Sequence, residues 1–167
     1  MFLLKELPEK KELKKLAKDN KGIDPNSAAF VLQFLKTASD VFISVDRFFA
    51  ARDFSQGRFL ALMVLSGAGE YGMYPYEIAD SMGVSRATAS GLIKGLEKTG
   101  DVASSQSETD GRMKKIILTA EGRERINELI PQYYAFISEF TSSQDKKTLK
   151  QFASVLSDIG AGLSKTV

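Results

Sequence analysis

The chain has 167 residues, 43% of them apolar, and 23 Lys and Arg against 21 Asp and Glu give a net charge of +2. This fits one globular domain, or one lobe with an oligomerisation arm, and the charge is too small to identify a nucleic-acid binder by itself. The absence of Cys and His excludes disulfides, thiol redox sensing, Cys or His zinc sites and imidazole catalysis.

No carboxylate cluster at a ligand spacing argues for a hard cation, so neither metal nor cofactor is expected. No uninterrupted apolar run approaches the ~18 to 20 residues of a membrane span, and the start, Met1-Phe2-Leu3-Leu4-Lys5-Glu6-Leu7-Pro8, lacks a basic leader followed by an apolar stretch. The expected compartment is the cytoplasm, with no membrane partner.

The Lys-rich stretch up to Asn20, broken early by Pro8, carries Leu13, Leu16 and Ala17 and reads as a short amphipathic helix. It is taken as a solvated arm that adds dimer contacts, over residues 1–24, and no function is assigned to it. Asp24-Pro25 is a helix start, because Asp accepts from orphan amides and Pro fits a first turn that needs no donor. The helix is expected to run to about Ala51. Its apolar residues Ala28, Val31, Leu35, Ala38, Phe42, Val45 and Phe49 alternate three and four apart, the seam of a helix that packs lengthwise against others. Residues 25–54 are therefore read as a dimerisation helix.

Ser55 opens a helix through Leu65 that Gly67-Ala68-Gly69 ends. A short helix from Pro75 to Met82 turns Ile78, Ala79 and Met82 inward, Gly83 makes the turn, and Ser85 caps a further helix to about Thr99 that Gly100 closes. On this last helix Ala89, Leu92, Ile93 and Leu96 share one face, and Arg86, Ala87, Ser90, Gly91, Lys94 and Lys98 the other. The second face suits the major groove: short residues let the backbone approach, Ser and Thr bond base edges, and Arg or Lys reach guanine or phosphate. Gly91 inside a helix costs about 1 kcal/mol and calls for a reason.

An ordinary amphipathic surface helix shows the same two faces. Groove reading is favoured by the order of elements, in which two short helices joined at Gly83 precede strands at 102–107 and 113–118, with the polar tip Glu108-Thr109-Asp110-Gly111 between them. Between 82 and 118 Arg86, Lys94, Lys98, Arg112, Lys114 and Lys115 stand against Glu97, Asp101, Glu108 and Asp110, a mild basic bias. Residues 55–118 are read as the DNA-binding lobe.

In residues 119–167 a Thr119 cap precedes Ile126, Ile130, Tyr133, Ile137 and Phe140, and a Ser143 cap precedes Leu149, Phe152, Leu156, Ile159 and Leu163, giving two more seams. Pro131 removes a backbone donor, so a bend is expected near 132–134. Three seams flanking a small middle segment imply a homodimer; an intrachain bundle core is the alternative.

Residues 54–122 resemble the MarR family of bacterial transcriptional regulators. The resemblance rests on Phe54-Ser55-Gln56-Gly57-Arg58-Phe59, Ile78-Ala79, Met82-Gly83-Val84-Ser85-Arg86-Ala87-Thr88, Leu96-Glu97-Lys98-Thr99-Gly100, Asp110-Gly111-Arg112 and Leu118-Thr119-Ala120-Glu121-Gly122. It implies a mainly α winged helix-turn-helix with a small two- or three-stranded antiparallel wing, dimerised through N- and C-terminal helices. Two recognition helices would enter successive major grooves of a roughly palindromic operator and each wing a minor groove.

On that pattern Ser85, Arg86, Ala87, Thr88, Ser90, Gly91 and Lys94 contact DNA from the helix, and Asp110, Arg112 and Lys114 from the wing. Arg112 is the minor-groove arginine, oriented by Asp110; a plain surface ion pair is the alternative reading of those two. The chain departs from the pattern at Tyr74, where a Ser or Thr cap is common, at Asp101, where an apolar residue is usual, and at Ser104 and Ser105, where basic side chains are frequent.

The resemblance also implies a small aromatic or lipophilic effector between the dimer helices and the DNA-binding lobe. Phe34, Phe42, Arg47, Phe59 and Tyr71 are the candidates, from a wider set that includes Phe30, Phe48, Tyr76, Arg52 and Arg58. Aromatics at helical spacing are more often packing than ligand cage. The expected function is a repressor released by such a ligand; the competing class is a winged-helix protein-interaction module without DNA binding. An enzyme has no support in a Gly-rich phosphate loop or an inferable carboxylate pair.

Overall fold

The computed structural model describes residues 6–106 and 114–163, and its internal contacts divide the chain into a unit of residues 1–59 and one of residues 60–167. In the first unit, α1 (Lys10–Asp19) begins where the Glu12 carboxylate accepts the Glu9 amide at 2.8 Å, and its Leu13 is buried where α1 packs on the following helix.

That helix, α2 (Pro25–Ala50), starts as expected, with the Asp24 carboxylate accepting from the amides of Asn26 at 3.2 Å and Ser27 at 3.0 Å ahead of Pro25. Its end was not foreseen in detail. Asp53 adopts φ 51°, and the amides of Phe54 and Asp53 return to the carbonyls of Phe49 and Ala50, both at 3.1 Å. This is a Schellman closure with Asp where glycine is usual, a residue that tolerates the left-handed region at modest cost. Beside it Phe49 packs against Phe48 and Phe59 with ring centroids 5.1 and 4.9 Å away, and the Arg52 guanidinium lies 3.7 Å from the Phe48 ring.

The expected seam of α2 is fully buried only at its C-terminal end, at Val45 and Phe49 with Phe48 beside them, while Leu35 and Ala38 are half-buried and Val31 and Phe42 stay 49% and 58% exposed. One window of α2 has mean hydropathy 1.4 and is long and apolar enough, by length and composition alone, to cross a membrane. The absence of an unbroken apolar run had suggested otherwise; averaging over the helix dilutes its scattered polar residues, among them Lys36 and Asp40, which pair at 2.9 Å.

α3 (Gln56–Ala68) starts at Ser55 and runs past the expected stop at Leu65, carrying Gly67 inside it; the left-handed residue is Gly69, at φ 63°, which opens a single 3-10 turn to Tyr71. In the second unit α4 (Pro75–Met82), α5 (Arg86–Lys98) and the antiparallel strands β1 (Val102–Gln106) and β2 (Lys114–Leu118) follow. Val102 pairs with Leu118 and Gln106 with Lys114, and Met73 adds a single bridge to Ile116, the rudiment of a third strand. Gly72, at φ 62°, is required there, because a Cβ would stand 2.6 Å from the Ile116 carbonyl oxygen. The core includes Leu62, Leu65, Ile78, Leu96, Val102, Ile116, Leu118 and Ile126, all at most 4% exposed.

α6 (Ala120–Glu139) is capped by Thr119, whose hydroxyl accepts the Gly122 amide at 3.0 Å, and continues past Pro131, which is exposed. α7 (Lys146–Leu163) corrects one expectation: its cap is Asp145, whose carboxylate accepts the Thr148 amide at 2.8 Å. Ser143 instead belongs to the turn leaving α6, two residues too early to reach the first free amides. No described residue of α7 is buried, and Phe152 and Leu156 are 56% and 44% exposed.

Candidate nucleic-acid interface

α4 and α5 are joined by Gly83-Val84-Ser85. Gly83 takes φ 63°, which lets the Val84 amide reach back to the Ala79 carbonyl at 3.0 Å and closes α4 within one turn. The start of α4 uses Tyr74 without a side-chain cap; the Glu77 carboxylate accepts the Tyr74 amide at 2.7 Å, half of a capping box. On α5, Ala89, Ile93 and Leu96 are buried and Arg86, Ala87, Thr88, Gly91 and Lys94 are exposed, with Ser90 half-buried. The two faces expected of this helix are therefore present.

The polar face forms one wall of a groove of about 500 Å³ between α4, α5 and the sheet. Arg86, Ser90 and Lys94 enter it from α5, Lys114 from β2, and Pro75 and Tyr76 from the start of α4. Ser85 and Thr88 stand apart from that group: the Ser85 hydroxyl accepts the Thr88 amide at 3.1 Å and shares a 2.8 Å hydrogen bond with the Thr88 hydroxyl. Their first role is to hold the N-terminus of α5. A Cβ built at Gly91 meets nothing within 4 Å, so packing inside the chain does not require glycine there. Asp110 and Arg112 lie outside the described residues.

Three features were not legible beforehand. Glu97 lines the groove and accepts from the Ser104 hydroxyl at 2.6 Å, which ties α5 to β1 and explains a serine where a cation was expected. Tyr74 and Tyr76 stack at 5.7 Å, and the half-buried Lys115 lies 5.5 Å from the Tyr74 ring, whereas Lys114, on the other face of β2 with Ile116, is exposed at the groove.

Asp101, the other departure from the family pattern, is fully buried and bonded to Arg125 Nε and to the Thr99 hydroxyl. The Thr119 hydroxyl donates to the Gly100 carbonyl at 2.6 Å, and a Cβ on Gly122 would stand 1.9 Å from the Asp101 carbonyl oxygen. The first turns of α6 thus grip the end of α5 through residues 99–101. The Asp directly after the helix-closing glycine was the visible signal; its partner 24 residues away was not.

Of the effector candidates, Phe34, Phe42 and Arg47 are exposed on α2 and Tyr71 is 85% exposed, whereas Phe59 is 2% exposed, against Phe49. None of the five lines the groove. Among the described residues no three His, Cys, Asp or Glu are grouped to hold a metal ion.

The family model of the MarR family matches residues 54–114, from the residue before the Ser55 cap through the first residue of β2. The HTH-type transcriptional repressor YetL of Bacillus subtilis (strain 168) is 30% identical over 161 residues, covering 96% of each chain. Among solved structures, the S. aureus MepR-DNA complex superposes with TM-score 0.70 at 17% identity, over 80% of this chain and 97% of that one. CouR from Rhodococcus jostii RHA1 bound to p-coumaroyl-CoA superposes with TM-score 0.65 at 20% identity, over 80% and 92%. At such identities the two structures establish the winged helix-turn-helix fold, while the near full-length match to YetL reaches the terminal helices as well as the lobe. The chain belongs to the MarR family.

Proposed function

We propose that the chain is a sequence-specific DNA-binding transcriptional regulator that acts as a homodimer, represses transcription and is released by a small aromatic or lipophilic ligand. The observation that carries the reading is the groove in which Arg86, Ser90, Lys94 and Lys114 converge beside a glycine that the chain's own packing does not need. Arg86 and Ser90 are assigned to base edges, Lys94 and Lys114 to phosphates, Ala87 and Gly91 to close backbone approach, Ser85 and Thr88 to the helix terminus facing a phosphate, and Arg112 with Asp110 to the minor groove.

Residues 25–54 and 119–167 are assigned to dimerisation around the 55–118 lobe, with 1–24 as the arm; the exposed apolar stripes of α2 and α7 support this. The repressor named YetL supports repression, and the ligand in the CouR structure supports an organic effector, for which Phe34, Phe42, Arg47, Phe59 and Tyr71 remain the candidates. We read the protein as a cytoplasmic regulator rather than an enzyme.

Selection of the tightest duplexes from a random pool tests the reading, with wild type beside Arg86→Ala and Ser90→Ala. A defined inverted-repeat consensus that changes at discrete positions in the variants is the expected result. Failure of the wild type to enrich any duplex would overturn it in favour of a protein-binding winged helix.

A further inference from the structure

We infer that α1 is a second, sequence-independent contact for the phosphate backbone of duplex DNA. The inference rests on the DNA-binding reading above and adds a surface to it. At about 100° per residue, Lys10, Lys11, Lys14, Lys15 and Lys18 fall within one arc of about 140°, with Leu13 and Leu16 outside it on the other side and Ala17 at its edge beside Lys10. Leu13 is buried against the following helix while Leu16 stays 48% exposed, and all five lysines are exposed.

Five lysines against Glu12 and Asp19 give these ten residues a surplus of three positive charges, more than the surplus of two on the whole chain. Among the described residues no ion pair engages these lysines, and Glu12 is bonded to the Glu9 amide. A helix whose outer face serves only solubility gains from opposite charges four apart. Here Lys10 and Lys14, Lys11 and Lys15, and Lys14 and Lys18 place like charges at that spacing, against the single opposite pair Lys15 and Asp19, at a net cost to the isolated helix.

A polyanion offsets that cost, and duplex DNA is the polyanion this protein binds. From Lys10 to Lys18 the stripe is about 12 Å long at ~1.5 Å per residue. Over that distance a duplex presents about seven phosphate charges, one per ~1.7 Å of axis. An anionic membrane fits less well, because an interfacial helix inserts a broad apolar face, and with Leu13 already buried only Leu16, 48% exposed, remains as a large apolar side chain on this one.

The test measures the affinity of the full chain for its best selected duplex and for unrelated duplex across a salt series. A variant with all five lysines changed to Gln is compared with one in which all five are changed to Arg. Each lost phosphate contact lowers the slope of log affinity against log salt by about 0.9. We expect the Gln variant to lose about two or more units of slope and about tenfold or more in affinity on both duplexes, with the selected consensus unchanged, and the Arg variant to match wild type.

Should the Gln variant fail to melt like wild type, Lys14→Gln with Lys18→Gln is read in the same way. Equal slopes in the Gln variant and wild type overturn the inference, as does an equal loss in the Arg variant, which would mark a structural role. So does a loss of binding to phosphatidylserine vesicles with DNA binding unchanged. A wild type that binds no duplex overturns the DNA-binding reading itself, an outcome distinct from these.

Discussion

Replacing Gly91 should move stability and DNA affinity in opposite directions. Glycine inside an exposed helix is less favourable than alanine by about 0.8 to 1.0 kcal/mol, and the Cβ of Gly91→Ala enters open space, with no atom beyond its chain neighbours and the adjoining backbone of its own helix within 4 Å. The variant should therefore melt about 2 to 4 °C higher than wild type at equal protein concentration, the shift about 1 kcal/mol gives a chain of this length.

If the helix backbone lies against DNA at this residue, the added bond of about 1.5 Å holds α5 away and lengthens the contacts of Arg86, Ser90 and Lys94 together. Loss of one good base contact, about 1 to 3 kcal/mol, corresponds to about 5- to 150-fold weaker binding, and Gly91→Leu should bind more weakly still. Calorimetry gives the first quantity and fluorescence anisotropy on a selected duplex the second. A stabilised Gly91→Leu variant with wild-type affinity would refute the close approach of α5 to DNA, and a destabilised Gly91→Ala would refute the open surrounding from which the gain is worked.

Gly122→Ala should be severely destabilised, because its Cβ would collide with the backbone oxygen of Asp101 at 1.9 Å rather than with a movable side chain; we expect a loss of about 3 kcal/mol, at the upper end of overpacking costs, read as a fall in melting temperature, and a wild-type melt would contradict the placement of α6. The carboxyls of Asp24 and Asp145 are held below their ordinary value of 3.8, the first chiefly by its hydrogen bond with the Ser27 side chain and the second chiefly by the Thr148 amide. Because the folded value is the lower one, their contribution is fully present above the unfolded value and is lost as pH falls through the folded value. The amide resonances of Ser27 and Thr148 should therefore titrate with midpoints below 3.8; midpoints at or above that value would remove both caps.

The features that sequence alone determined are those closed within about one helical turn. Asp24-Pro25, Ser85 and Thr119 start helices because their side-chain oxygens reach amides two or three residues ahead. Gly83 and Gly100 end helices because only a left-handed residue lets the next amides turn back. The same local logic placed the two strands and separated the buried from the polar face of α5.

Even this logic failed where several candidates compete: Ser143 and Asp145 both suit a cap, and only the path of the chain leaving α6 selects Asp145. Tertiary structure alone decided pairings between distant residues. Burial of Asp101 depends on Arg125 and Thr99 arriving together, the need for glycine at 122 depends on the Asp101 carbonyl, and the tie from Ser104 to Glu97 depends on how β1 lies against α5. No periodicity encodes such contacts, because each is set by the packing of two elements whose separation in sequence bears no fixed relation to their distance in space.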